Sequence, residues 1–167
     1  MKTVVLEKWL KHSERNAVVT TVVLHATAGA TAQSSIKWLQ NPLVLASYHY
    51  IIERDGTVFK CVPLSKKAWH CGISNGPDGR NVNAYSVGIA FANKNDGEPV
   101  TFEQTLSAQV LIDGLWEQFP KLAYITSHRL ITSRKSDPKG FGFYGFAKKQ
   151  TRLKPWKDTG LGRGWDE

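Results

Sequence analysis

Apolar residues along this chain gather in short runs that predict strands. Residues 17–24 (AVVTTVVL) form a continuous run rich in β-branched side chains, which predicts a strand buried on both faces. Residues 48–52 and 57–62 predict two further strands joined by a tight turn. Two more apolar runs, residues 87–92 and 122–127, complete the predicted strands.

Two amphipathic segments between these strands predict helices. The first, residues 31–40, stops before Asn41-Pro42, because a proline disfavours helical geometry in the residue before it. The second opens with Thr101 and Gln104 at the spacing of a capping box and ends before Pro120. Its apolar positions recur at helical spacing, at Leu106, Val110, Leu111 and Leu115. The order of elements predicts an α/β fold, a single domain with a central mixed β-sheet flanked by helices.

Two histidines stand at the ends of strands that lie far apart in the sequence. His25 directly follows the first predicted strand, and His128 directly follows the last. Ligands bind outside the carboxyl ends of strands in open sheets, so both imidazoles are expected at one cleft. A catalytic zinc takes three protein ligands and leaves one position open, and Asp137 is the best candidate for the third. From spacing alone, a zinc site and two ordinary, partly buried histidines are equally consistent with the sequence.

Length and composition favour one domain over residues 1–167. Hydrophobic residues make up 41% of the chain and charged residues 22%, which excludes a disordered or low-complexity protein. Neither an internal repeat nor a linker rich in Gly, Ser or Pro divides the sequence. Residues 141–167 form a basic, aromatic extension beyond the predicted elements.

The charge balance predicts an anionic partner. Lys and Arg number 22 against 14 Asp and Glu, which gives a formal net charge of +8. Nucleic acid, an acidic membrane surface and a bacterial wall polymer would all be attracted, and the sign of the charge does not choose among them.

Neither a targeting segment nor a disulfide framework is evident. The N-terminal residues lack the uninterrupted apolar core of a secretory signal, and no apolar run reaches the ~18 residues of a membrane-spanning helix. We therefore expect synthesis in the cytoplasm without a transmembrane segment. Cys61 and Cys71 are expected as reduced thiols.

Several short motifs occur together in an order typical of one family. They are His25-Ala26-Thr27, Ser47-Tyr48-His49-Tyr50-Ile51-Ile52, Arg54-Asp55-Gly56-Thr57-Val58, Ala68-Trp69-His70, Asn83-x-x-Ser86-Val87-Gly88-Ile89, and His128 followed by Lys135-x-Asp137-Pro138. Over residues 17–140 the chain resembles the type 2 N-acetylmuramoyl-L-alanine amidases. That family includes T7-type lysozymes, AmpD-like recycling amidases and animal peptidoglycan recognition proteins.

The resemblance implies a zinc site of His25, His128 and Asp137 in a cleft that holds the peptidoglycan stem peptide. It also implies hydrolysis of the amide that joins the lactyl group of N-acetylmuramic acid to L-alanine. Zinc would polarise the amide carbonyl and lower the pKa of a bound water toward about 7. Lys135 matches the family's catalytic lysine, which stabilises the tetrahedral oxyanion. Tyr48 matches a tyrosine that supports proton handling or orients the attacking water.

Other matched positions carry expectations of substrate contact. The resemblance implies that four further residues are candidates for contact with the stem peptide or the sugar. They are Thr27, Trp69, His70 and Asn83. Ala90 stands where the AmpD-like branch has an acidic residue, and alanine cannot accept a proton. The general base is therefore left between Tyr48 and the zinc-activated water. His49 is expected on the opposite face of its strand from Tyr48, in a structural role.

The leading hypothesis is a monomeric lytic cell-wall hydrolase, such as a phage endolysin, that reaches peptidoglycan after release from the cytoplasm. An AmpD-like cytosolic recycling amidase is the nearest alternative, and Ala90 and the basic charge count against it. A non-catalytic peptidoglycan-binding protein would lack a metal ligand, and all three are present here. A nucleic-acid surface would use the basic residues 129–157 and their interleaved aromatics. No nucleic-acid motif accompanies that stretch, so nucleic acid is not expected as a partner.

Overall fold

The computed structural model describes residues 1–156. Within this range eleven strands form: β1 (Thr3–Val5), β2 (His12–Glu14), β3 (Thr21–Ala26), β4 (Tyr50–Ile52), β5 (Val58–Lys60), β6 (Lys66–Ala68), β7 (Asn75–Gly76), β8 (Gly79–Arg80), β9 (Ser86–Phe91), β10 (Tyr124–Ser127) and β11 (Lys154–Pro155). Five helices lie between them: α1 (Ala32–Leu39), α2 (Val82–Tyr85), α3 (Phe102–Gln118), α4 (His128–Ile131) and α5 (Phe143–Lys149).

Seven of these strands build one mixed sheet in the order β1-β5-β4-β9-β3-β10-β11. β4 and β5 pair antiparallel as a hairpin, and the other neighbouring pairs are parallel. β3 and β9 lie in the middle, and all of their residues are buried because strands flank them and helices cover both faces. The predicted α/β fold with a central mixed sheet is therefore confirmed.

The two faces of the sheet carry different helices. On one face, α3 and α5 pack against side chains such as Leu24 in the larger core cluster. On the other face, α1 packs through Ile36 against a cluster that contains Ala90. Side chains alternate along a strand, so His25 points away from Leu24, and it lies beside Ala90 in the register of β3 with β9. His25 therefore lies on the face of the sheet that α1 covers.

The first two predicted strands begin later than the sequence pattern indicated. β3 starts at Thr21 and runs through His25 to Ala26, whereas the pattern predicted a strand over 17–24. Val18 is exposed, and the backbone N–H of Thr20 donates to the carbonyl of Tyr85 at the end of α2. β4 likewise starts at Tyr50, so Tyr48 precedes the strand.

Helix α3 has the predicted capping box but a different buried face. The Thr101 side chain accepts from the backbone N–H of Gln104, and the Gln104 side chain accepts in return from the N–H of Thr101. Leu106 and Val110, which the apolar pattern placed in the core, are half exposed. The residues of α3 that face the sheet are Gln104, Ser107, Ala108, Leu111, Ile112 and Leu115. The pattern failed here because two polar residues occupy core positions at the start of the helix.

The C-terminal segment packs on the same sheet over its described part. Phe141, Phe143 and Phe146 are buried in the larger core cluster, and β11 pairs with β10 at the sheet edge. Residues 157–167 of the predicted basic extension lie outside the described residues. Within residues 1–156, no helix is both long and apolar enough to cross a bilayer.

Gln104 is the polar residue on which the α3 contact depends most. Its side chain is fully buried, and Nε2 donates to the carbonyls of Ile52 (2.9 Å) and Ala92 (3.1 Å), at the ends of β4 and β9. Replacing it removes the side-chain donor to the Ala92 carbonyl and the acceptor for the Thr101 N–H, and it leaves the Ile52 carbonyl with the backbone N–H of Ala92 alone. We expect Gln104→Ala to lower the free energy of unfolding by about 2–4 kcal/mol, measured by urea titration. Gln118→Ala, at an exposed position of the same helix, should change it by less than about 0.5 kcal/mol, and equal effects would contradict this assignment.

Candidate metal centre and active-site cleft

Two parallel strands and one loop bring three donor side chains to the carboxyl edge of the sheet. His25 is the penultimate residue of β3, and His128 follows β10 directly, as predicted. Because β3 and β10 are parallel neighbours, their ends coincide, and the two imidazole centroids lie 4.6 Å apart. Asp137 reaches them from the loop after α4, where its carbonyl accepts from the backbone N–H of Arg129 at 3.0 Å.

The three side chains converge on one small space. His128 Nδ1 lies 3.0 Å from Asp137 Oδ1, and His25 Nδ1 lies 3.3 Å from Asp137 Oδ2. All three residues are buried, with exposed fractions of 0%, 5% and 8% for His25, His128 and Asp137. One ligand atom from each lies within 4.8 Å of the others, a separation that can hold a metal ion.

Hydrogen bonding on the far side of the rings favours a cation between them. His128 Nε2 lies 3.3 Å from the carbonyl oxygen of Cys71, which can only accept, so Nε2 carries a proton. His128 Nδ1 is then the nitrogen that faces the Asp137 carboxylate and could bind a metal ion there. His25 Nδ1 is buried without a hydrogen-bond partner. Burying several lone pairs together costs free energy unless a cation lies among them. The two Nδ1 atoms and the Asp137 carboxylate therefore fit the ligand set of a divalent metal such as zinc.

The electrostatics keep the ligands in their metal-binding forms. Burial, aided by nearby His128, lowers the pKa of His25 to about 4, so its imidazole is neutral at pH 7. Burial raises the pKa of Asp137, but the adjacent His128 and His25 side chains outweigh burial and hold that pKa below its usual value. The site therefore presents neutral imidazole and ionised carboxylate.

A cleft of about 410 Å³ opens above these ligands. Five further predicted site residues line it: Thr27, Tyr48, Trp69, His70 and Lys135. The Thr27 hydroxyl also accepts from the backbone N–H of Gly29 at 3.2 Å, and the Trp69 indole donates to Ser13 Oγ at 3.0 Å. Lys135 is exposed at the rim.

Tyr48 is placed to donate a proton rather than to accept one. Its ring centroid lies 5.2 Å from that of His25. Burial, together with the negative charge of Asp137, raises the pKa of the Tyr48 phenol, so the hydroxyl keeps its proton at neutral pH. Ala90, fully buried beside His25, supplies no acid in its place. A protonated phenol can donate a hydrogen bond at pH 7, and the alanine side chain has no titratable group.

Asn83 does not lie where the sequence interpretation placed it. Asn83 is not one of the described residues that line the cleft. Its Oδ1 accepts from the backbone N–H groups of His70 (3.0 Å) and Cys71 (2.8 Å). Asn83 thus holds the loop behind the cleft, and substrate contact by its side chain is not supported.

His70 borders the cleft, but both of its ring nitrogens are engaged inside the protein. Nδ1 lies 2.9 Å from His25 Nε2, and Nε2 lies 3.2 Å from Ser86 Oγ. The predicted structural role of His49 is confirmed, because its Nδ1 accepts from the backbone N–H of Gly88 and the ring is fully buried away from the cleft.

Sequence reasoning missed three residues around this site. Cys71 is a buried free thiol whose Sγ lies 3.0 Å from His70 Nδ1, and with His25 and His70 it forms a second group of potential metal donors. Arg134 lines the cleft and donates to the carbonyl of Ile73 at 2.7 Å. Ser86 Oγ contacts His70 from β9. Cys61 is also free and buried, as expected.

Comparison with known proteins decides the family. The model of the N-acetylmuramoyl-L-alanine amidase family, type 2, matches residues 15–140. The chain belongs to this family. A curated relative, the 1,6-anhydro-N-acetylmuramyl-L-alanine amidase AmpD of Haemophilus influenzae, is 33% identical over 98 residues, which are 55% of this chain and 51% of that protein. This amidase-family chain thus spans about half the length of the curated relatives it matches.

Solved structures of other amidases share the fold of this family member. The Escherichia coli amidase AmiD, in complex with anhydro-N-acetylmuramic acid-L-Ala-D-γ-Glu-L-Lys, superimposes with a TM-score of 0.72 and 22% identity, covering 88% of this chain and 63% of AmiD. The endolysin LysCS of Clostridium intestinale gives a TM-score of 0.69 and 22% identity, covering 92% and 97% of the two chains. At this identity the likeness establishes the fold.

The buried histidines predict a loss of stability in mild acid. Burial lowers the pKa of His25 to about 4, that of His49 to about 3, and that of His70 well below 6.5. Below pH 6.5 the unfolded chain takes up protons that the native state excludes, so the free energy of unfolding falls as pH falls. We expect a decline of up to about 1.4 kcal/mol per pH unit for each such histidine between pH 6.5 and 5, measured by urea titration of metal-free protein. A constant free energy of unfolding over that window would contradict these pKa directions.

Proposed function

We propose that this protein is a zinc-dependent N-acetylmuramoyl-L-alanine amidase that cleaves the bond between N-acetylmuramic acid and L-alanine in peptidoglycan. The observation that carries the proposal is the convergence of His25 Nδ1, His128 Nδ1 and the Asp137 carboxylate in one buried space. Two imidazoles and a carboxylate are a ligand set used by catalytic zinc. The chain belongs to the N-acetylmuramoyl-L-alanine amidase family, and the family's name specifies the bond that such a site would cleave.

The chain's own residues supply what the amide reaction needs around the metal. Zinc held there would polarise an amide carbonyl and acidify water. Lys135 brings a cation to the cleft, near enough to His25 to lower that imidazole's pKa. Its ammonium stabilises the negative charge that develops on the carbonyl oxygen during attack. The protonated Tyr48 hydroxyl is available to donate a hydrogen bond in the same region.

The shape and charge of the cleft support a peptide-bearing sugar as substrate. Trp38 and Trp69 offer aromatic surface to the cleft, and Arg134 and Lys135 offer positive charge. Asp137 is the acidic residue among the described lining residues, and the proposed metal neutralises it. These features suit a ligand that combines sugar rings with carboxylates.

We further propose the intact wall as the substrate and a lytic role as the function. The net charge of +8 favours adsorption to an anionic wall, and Ala90 removes the acid that the recycling branch has at this position. The AmpD relatives favour the alternative, a recycling amidase that acts on free anhydro-muropeptides. Relative rates on intact sacculi and on soluble anhydro-muropeptides separate the two roles.

Two non-enzymatic alternatives find less support. A peptidoglycan-binding protein without catalysis would have no need for three converging metal donors. A single-stranded nucleic-acid surface needs aromatic faces open to bases, whereas Phe141, Phe143 and Phe146 are buried in the core.

Digestion of purified peptidoglycan tests the proposed bond cleavage. We expect new L-alanine amino termini without new reducing sugar ends, detected by mass analysis of the released products. A chelator should abolish the release and added Zn²⁺ should restore it, because the reaction needs the metal. New reducing ends, or release that persists in chelator, would show that the proposed chemistry is wrong.

Separate variants distinguish metal binding from charge stabilisation. His128→Ala should lose zinc, measured as metal content after dialysis. Lys135→Ala should keep zinc but lower kcat by about 100-fold or more, because it removes one group that stabilises the oxyanion. Lys139→Ala, an exposed lysine outside the cleft lining, is the matched control and should keep the parental rate. A Lys135→Ala protein that turns over at the parental rate would refute the assigned role.

A further inference from the structure

His70 lies directly behind the metal-site imidazole of His25. Its Nδ1 is 2.9 Å from His25 Nε2, and the two rings meet edge to face. Its Nε2 is 3.2 Å from Ser86 Oγ, and Ser86 Oγ is in turn 2.6 Å from the carbonyl oxygen of Val82. The side chains of His25, His70 and Ser86, which we call the His70 row, are all buried. Each N–H or O–H group in the row must therefore have a hydrogen-bond partner inside the protein.

The carbonyl of Val82 fixes the direction of every hydrogen bond in this row. A carbonyl can only accept, so the single hydroxyl proton of Ser86 is donated to Val82. Ser86 Oγ then accepts from His70 Nε2–H. Neutral His70 has no second ring proton, so its bare Nδ1 accepts from His25 Nε2–H. His25 Nδ1 is left bare, and this is the buried atom without a partner that faces Asp137.

We propose that His70 is a positioning residue that fixes the tautomer and the ring orientation of His25 for metal binding. The proposal rests on the proposed metal centre. A histidine whose far N–H is held by an acceptor binds metal more strongly, because its ring cannot rotate and its free nitrogen becomes a better donor. His70 is therefore assigned to the metal site and not to substrate contact.

Two neighbours of the His70 ring support this geometry. A Cβ at position 88 would lie 2.6–2.9 Å from atoms of the His70 ring, so the ring can occupy this place only because Gly88 has no side chain. The Cys71 thiol lies 3.0 Å from His70 Nδ1. A thiol is only a weak hydrogen-bond acceptor, so His70 Nδ1 is the stronger acceptor for His25 Nε2–H.

The matched variants His70→Asn and His70→Leu test the acceptor directly. Asparagine can place Oδ1 where histidine has Nδ1, whereas leucine has nearly the same shape and no acceptor. We expect His70→Leu to weaken zinc affinity by about 10–100-fold and His70→Asn to retain most of it. Affinity is measured by competition with a chromophoric chelator, and the visible spectrum of the Co²⁺-substituted protein reports whether the ligand geometry changes. His12→Asn, a histidine variant outside the row, controls for adventitious zinc and should leave both readouts unchanged.

The outcomes separate this inference from the proposed function. If the parental protein binds no zinc, the metal centre itself is wrong. If the parental protein binds zinc and His70→Leu binds it equally well, or His70→Asn loses as much affinity as His70→Leu, the positioning role is wrong and the metal centre stands. If His70→Leu does not fold, Ser86→Ala decides: we expect it to weaken zinc binding at least about threefold, because His70 loses its own orienting partner. Unchanged affinity in Ser86→Ala would then overturn the proposal.

Discussion

A buried carboxylate facing two bare imidazole nitrogens is the interaction on which the rest of this structure depends. Asp137 is almost fully buried, and Nδ1 of His25 and Nδ1 of His128 each lie within about 3.3 Å of its oxygens. Neither imidazole can satisfy it with an Nδ1 proton when Nε2 of each ring already holds the proton. A divalent cation bound between these atoms would resolve this conflict and stabilise the arrangement.

The fold serves this interaction by bringing together groups that are far apart in sequence. Parallel pairing of β3 with β9 and β10 aligns the strand ends, so His25 and His128 share one edge. The same register places Gly88 beneath the His70 ring, and Ser86 starts the strand that carries it. One central strand thus supports the residues behind the metal site, while the loop that ends at Asp137 closes the front.

Much of this arrangement could be predicted from the sequence, and the reasons are local. The apolar runs predicted the strands because central parallel strands are buried on both faces, and the histidines at strand ends indicated the cleft. The third ligand and Lys135 followed from the family's motif, since spacing alone left ordinary buried histidines as an equal alternative. Their roles in binding and catalysis stay predictions.

Other features depend on three-dimensional packing that no local pattern encodes. Leu106 and Val110 have helical spacing, but Gln104 and Ser107 take the core positions because they bond to the ends of β4 and the following turn. Asn83 lies in a family motif, yet its amide is used by the loop backbone. The direction of the hydrogen bonds between His25 and His70 depends on the hydroxyl of Ser86 and the carbonyl of Val82, which lie on other elements. The most direct test of the central claim is anomalous diffraction at the zinc edge from crystals grown with Zn²⁺. We expect a zinc peak at bonding distance from His25 Nδ1, His128 Nδ1 and an Asp137 carboxylate oxygen. Zinc bound through either Nε2, or no zinc at this site, would contradict the proposed metal centre.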